Sequence, residues 1–218
     1  IVLLSIIKSM SIIHPQFKKP RLLRIVITGP QGAGKTTMVK TLGREFAHII
    51  RCVPEVATMT VVNLGITPGE PRSDIVQDSV FQHLMYRMQE LFEHMSEEIA
   101  RDTGKKALLA DKGRVDIAGH IKGGPREYEE LFNTTLKKDY AHYDLVLFLE
   151  LPPKKIYNQI RKNNPARGET YERAKMFETR MKKVWQGHPN FISISNESGW
   201  EGKVQKARLA VSEFLRNK

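Results

Sequence analysis

The sequence is poor in the features that would assign it to several large functional classes. It has one cysteine, Cys52, so no internal disulfide can form. That thiol reads as a small buried apolar side chain, and nothing marks it as a nucleophile. The seven histidines are scattered without the spacing of a structural zinc site. No Ser-His-Asp or Cys-His set stands out, which removes support for a hydrolase. The longest apolar stretch, Ile1 to Ile13, is interrupted by Lys8 and too short to span a bilayer. A small-residue cleavage site of the signal-peptide kind is missing. An initiating methionine is missing too, and Met10 is the expected natural start, with residues 1–9 upstream or appended sequence. Residues 1–21 therefore read as an N-terminal extension, partly disordered, and cytoplasmic placement is the expectation.

What is present is an alternation of short β-branched runs with amphipathic stretches. Leu22 to Thr28 is a buried-type strand closed by Gly29. Thr36 to Phe46 has the pattern of a helix, and Ile49 to Val53 that of a second strand ending at Pro54-Glu55. After a stretch rich in Gly and Pro, apolar residues recur with a 3.6-residue period from Asp74 to Asp102, predicting one long helix. Further strands are expected at Lys106–Ala110, Tyr143–Leu149 and Phe191–Ile194. Helices are expected on both sides of Gly123-Gly124-Pro125, and at 154–162, 170–185 and 202–216. Strands alternating with helices predict an α/β fold: three layers, α/β/α, around a five-stranded parallel sheet, as a single domain over 22–218.

Gly29-Pro30-Gln31-Gly32-Ala33-Gly34-Lys35-Thr36 carries the strongest chemical signal. It has the G-x₄-G-K-[ST] spacing of a phosphate-binding P-loop, between a buried strand and an opening helix. Glycines let backbone N–H groups curl around phosphate oxygens, and the helix N-terminus adds partial positive charge. Lys35 would reach the β- and γ-phosphates, and Thr36 would ligate Mg²⁺ with Thr37 beside it. No Asn/Thr-Lys-x-Asp guanine-reading motif is apparent, so ATP is the expected nucleotide and GTP the alternative.

Two carboxylates fall at strand ends, the edge where α/β sheets bind ligands. Asp111 is placed to hold Mg²⁺ opposite Thr36, and Glu55 to accept a proton from a substrate hydroxyl. A capping Asp and a surface Glu are the plainer readings. The net charge of +11 is uneven: residues 1–153 carry +2, and residues 154–218 carry +9. Arg161, Lys162 and Arg167 flank the loop Asn163 to Gly168, so 154–185 reads as a cationic helical lid over phosphates or as a solvated basic face. Asn196, after the last strand, would frame the adenine base or simply turn the chain.

These residues, in this order, resemble one P-loop family of AAA-type domains. It includes the ribosylnicotinamide kinase domain of the bacterial NadR regulator and the insect TRPL-translocation-defect protein. The resemblance runs over about 22–215. It rests on the P-loop, Val53-Pro54-Glu55-Val56-Ala57, Phe81-Gln82, Asp111-Lys112-Gly113 with Asp116, Tyr143-Asp144, Arg167-Gly168-Glu169, and Trp185 ahead of His188-Pro189. It implies a fold like that of nucleoside and thymidylate kinases, with Glu55 and Asp111 beside acceptor and metal. Lys112 stands where the family usually has arginine, and Thr58 where arginine is common, so the planar bidentate fork is lost there.

Two functions follow as expectations. One is a small-molecule kinase moving the γ-phosphoryl of ATP to a nucleoside-like hydroxyl, with Lys35, Glu55, Asp111 and Arg167 as its catalytic set. The other is a regulatory nucleotide-binding module for an anionic membrane or a protein partner, suggested by the +9 excess. Nucleic acid ranks third, because a recognition motif is lacking.

Overall fold

The computed structural model describes residues 21–56, 59, 79–162 and 169–218. Five strands form one sheet in the spatial order β2-β3-β1-β4-β5: β1 Leu23–Thr28, β2 Ile50–Val53, β3 Ala107–Asp111, β4 Leu145–Leu149 and β5 Phe191–Ile194. Every neighbouring pair is parallel. The described helices are α1 Lys35–Glu45, α2 Ser79–Asp102, α3 Asp116–His120, α4 Gly124–Phe132, α5 Leu136–Tyr140, α6 Lys154–Lys162, α7 Tyr171–Trp185 and α8 Gly199–Arg216.

The three inner strands β3, β1 and β4 are largely buried on both faces, and alternation sorts their side chains into two cores. Ile25, Ile27, Leu109, Leu145 and Leu147 meet Met38, Val39 and Leu42 of α1 and Val204, Ala207 and Val211 of α8. Val26, Leu108, Ala110 and Val146 face the other way, onto Tyr86 of α2, Ile117 of α3, Tyr128 of α4 and Trp185 of α7. The expected three-layer α/β/α arrangement is therefore present. Among the described residues no helix is long and apolar enough to cross a membrane.

Local signals explain the boundaries. Thr170 caps α7 by accepting from the Arg173 N–H at 3.3 Å, and Thr135 caps α5 by accepting from the Lys138 N–H at 3.1 Å. Pro125 sits in the first turn of α4, and Asn133 in the left-handed region (φ 49°) ends it. Residues 74–78 of the expected long helix, and the loop at 163–168, lie outside the described residues.

A buried polar network ties α2 to the turn after β3. Arg114 reaches Glu90 and Glu93, each at 3.1 Å. The Tyr143 hydroxyl donates to Glu93 at 2.7 Å and accepts the Arg114 N–H at 2.9 Å. Gln89 donates to the Lys112 carbonyl at 3.3 Å. Since the Glu93 side chain is 2% exposed, these partners are what make its burial tolerable.

Candidate functional site

The chain leaves β1, the central strand, and runs into the P-loop where the crossovers change direction, between β3 and β4. Gly29 has φ 133°, and a Cβ there would lie 2.4 Å from the Leu149 carbonyl oxygen, so only glycine fits. At Gly32 a Cβ would meet the Tyr157 ring, and at Gly34 the Trp200 ring, each at 2.5 Å. Gly34 caps α1 in the left-handed region, and Lys35, Thr36 and Thr37 form the first turn, whose leading N–H groups have no intrahelical acceptor. The loop closes on itself: the Ala33 N–H and the Lys35 ammonium both donate to the Pro30 carbonyl, at 3.3 and 2.9 Å. Gln31 lies at the crest of this turn, half-buried.

Thr36 and Asp111 meet beside the loop. The Thr36 hydroxyl donates to Asp111 Oδ2 at 2.6 Å. The other carboxylate oxygen of Asp111 is buried without a hydrogen-bond partner. Burial pushes the Asp111 carboxyl above its usual range, while Lys35 pulls the other way. Lys35, 7% exposed, is pushed down to about 8 by burial and by Lys112, against the pull of Asp111, Glu55 and Asp116. A hydroxyl beside an orphaned, desolvated carboxylate oxygen is a hard-oxygen donor set, and it fits Mg²⁺, which takes few protein ligands and completes its shell with phosphates and water. Among the described residues no cluster of three or more His, Cys, Asp or Glu could hold a metal.

The rest of the ligand edge is charged. Glu55, two residues past β2, lies 3.6 Å from the Lys112 ammonium. Lys112 follows β3 with φ 75°, an uncommon conformation for a residue with a side chain, fixed by its N–H bond to Ile27 O at 3.0 Å. Burial works against its charge, but Glu55, Asp111, Asp116 and Glu169 outweigh that and raise its pKa. Asp116, 2% exposed, accepts the Gly113 N–H at 2.7 Å and the Thr28 hydroxyl, which pins the turn to the end of β1.

The structure thus gathers Gly29 to Thr37, Glu55 and Asp111 at one edge of the sheet. Arg161 occupies the last turn of α6, and Arg167 lies outside the described residues. The Asn196 carbonyl accepts the Gly199 N–H at 3.0 Å, so this residue turns the chain into α8.

Sequence reading missed Lys203 altogether. This α8 residue, 1% exposed, donates to Ala33 O at 3.3 Å and to Glu150 O at 2.6 Å, joining the P-loop to the end of β4. Burial pushes its pKa down to about 8. Its signal was a lysine four residues before Ala207, on the apolar stripe of α8. Glu169 was also passed over as a site residue. Burial raises its carboxyl, while Arg173, Lys112 and Lys35 draw it down, which puts it within electrostatic reach of the same cluster. Two open clefts among the described residues lie elsewhere, one lined by Glu150, Lys175 and Lys182 and another between β5 and α8.

The AAA-domain family model matches residues 24–203, and the chain belongs to that family. No curated protein sequence matches it. Among solved structures, NadR in complex with NAD and AMP-PNP superposes with a TM-score of 0.65 at 17% identity, over 88% of this chain and 49% of NadR. NadR in complex with NR gives 0.62 at 18% identity, over 88% and 50%. Thymidylate kinase from Ehrlichia chaffeensis gives 0.55 at 16% identity, over 90% of this chain and 100% of the kinase. The chain thus spans about half the length of NadR, and at these identities the likeness to NadR and to thymidylate kinase is one of fold alone.

Proposed function

We propose that this chain is a small-molecule kinase that transfers the γ-phosphoryl of ATP to a nucleoside-like hydroxyl. One observation carries the reading: the P-loop threonine and a buried strand-end carboxylate meet at 2.6 Å, with the second carboxylate oxygen unpartnered. Thr36 and Asp111 would hold Mg²⁺, which when bound neutralises charge on the phosphoryl oxygens. Lys35 and the P-loop N–H groups orient the phosphates and stabilise charge as it spreads during transfer. Glu55 is the base for the acceptor proton, and Lys112 holds that carboxylate in place. Arg167 and Arg161 are the cations assigned to charge stabilisation at the phosphates in this reading. GTP is the alternative donor.

The test is release of ADP from Mg-ATP by purified chain across a panel of nucleosides and nucleotides. Release should depend on one acceptor class and drop at least about 100-fold in Asp111→Asn and in Glu55→Gln. Absence of any acceptor-dependent ADP would sink the kinase reading.

The regulatory reading, in which bound nucleotide sets affinity for an anionic membrane or a partner, rests on the +9 beyond residue 153. Part of that excess is met from outside the segment: Lys182 pairs with Glu150 and Arg208 with Glu45, while Lys203 is buried. Co-sedimentation with anionic vesicles at low salt, with and without ATP, decides the membrane version.

A further inference from the structure

Among the described residues, Arg24 Nε, Asp111 Oδ1, Arg114 Nε, His120 Nδ1 and Trp185 Nε1 are buried with no hydrogen-bond partner. Such an atom bears the full cost of its lost water, so each calls for a reason. Both guanidinium groups are held through their other nitrogens, Arg24 by Glu97 and Arg114 by Glu90 and Glu93. Trp185 is wholly enclosed and serves the core with its ring. Asp111 is the metal ligand of the proposed site. His120 is left, and that residue is half-buried rather than sealed.

Two helices set His120 near the ligand edge. It ends α3 one turn after Asp116 and on the same face, and Asp116 accepts the Gly113 N–H beside Lys112. The His120 ring lies 5.0 Å from the ring of Phe177 on α7. Phe177 follows Arg173 by one turn, and Arg173 pairs with Glu169 at 3.8 Å. The imidazole therefore stands between α3 and α7, one turn from a residue of the charged cluster on each helix.

Its ionisation suits a reader of uncharged groups. Burial pushes its pKa down to about 3, and Lys112, Lys35 and Arg180 push the same way. The ring is neutral at pH 7, with one nitrogen donating and the other accepting. The cations around it are engaged: Lys112 with Glu55, Arg173 with Glu169 and Arg180 with the Ile121 carbonyl. What these residues offer a ligand is a neutral donor and acceptor rather than a charge. The last torsion of histidine is broad and two-fold, so either nitrogen can turn to a ligand at small cost.

We propose that His120 is a specificity-determining residue: its imidazole hydrogen-bonds an uncharged hydroxyl or amide of the phosphoryl acceptor, with Phe177 holding the ring in place. The inference rests on the kinase reading and adds to it a group that reads the acceptor.

Steady-state kinetics, with the acceptor that wild type uses in the ADP-release panel, tests this. His120→Phe should raise the acceptor KM about tenfold and leave the KM for ATP within about twofold. It should melt no lower than wild type, because an orphaned nitrogen is removed. His120→Asn places an amide where Nδ1 stands, and His120→Gln places one near Nε2, so one of the two should recover most of the loss. Should the larger ring prevent folding, seen by circular dichroism, His120→Leu takes its place. Absence of acceptor turnover in wild type removes the kinase reading and this one with it. Turnover with an acceptor KM unmoved in His120→Phe overturns this inference alone. So does a KM for ATP that rises in step, or a loss that neither amide recovers.

Discussion

Single residues decide whether the phosphate loop keeps its shape. Gly29→Ala would force a Cβ against backbone oxygen at a positive φ, where no side chain can swing aside. A loss of about 2 kcal/mol or more is expected in urea unfolding. Lys203 acts on the loop from a distance. One of its hydrogen bonds holds the Ala33 carbonyl, and with it the peptide that leads into Gly34, while the other ties it to the Glu150 carbonyl. Lys203→Met should weaken binding of a fluorescent ATP analogue about tenfold while the chain stays folded. It should also change the response to alkali. The native lysine sits near 8 and the unfolded one near its ordinary 10.5. Between those values the unfolded chain holds a proton that the folded chain has released, so stability from this group rises with pH and is lost as pH falls through 8. Wild type should therefore gain on the order of 2 kcal/mol over Lys203→Met between pH 7.5 and 9.5. Equal slopes for the two proteins would show that the amine is not desolvated in the native state.

At the scale of elements, α2 and the turn after β3 stand or fall together. Arg114→Met leaves buried Glu93, among the described residues, with Tyr143, Gln89 and a weaker ion pair to Arg24 at 3.8 Å. A cost of about 3 kcal/mol is expected, partly recovered when Glu93→Gln is added, as a double-mutant cycle in urea would report. This network also marks where sequence reading stopped. The five strands and the helix at 154–162 follow from runs of Ile, Val and Leu and from clear periodicity, because burial on both faces demands such runs. The short helix Leu136–Tyr140 escaped, since a single turn and a half shows no period and only the Thr135 cap announces it. Val53-Pro54-Glu55 and Asp111 were legible as strand ends. That Glu55 pairs with Lys112, or that Tyr143 and Arg114 share Glu93, depends on long-range packing that local pattern does not carry. The expected start of β4 at Tyr143 was early by two residues, because Tyr143 is apolar in pattern but serves the network with its hydroxyl.

For the molecule as a whole, binding is linked to stability. If the P-loop takes Mg-ATP, nucleotide at a hundredfold excess over its Kd should add about 2.7 kcal/mol, or roughly 5–11 °C in Tm. AMP, which leaves the loop without β- and γ-phosphates, should do far less. Differential scanning fluorimetry separates the two, and identical shifts would argue against triphosphate recognition by this loop.

The three loop glycines abut three different stretches of chain: Gly29 the end of β4, Gly32 Tyr157 and Gly34 Trp200. On the ribosome, the loop is made early but its walls arrive late. At 5–20 residues per second, roughly ten to thirty seconds separate Gly34 from Trp200 and Lys203. A nascent chain that already displays this motif lacks the walls that shape it. If the loop takes ATP, capture therefore requires a chain made at least as far as Lys203.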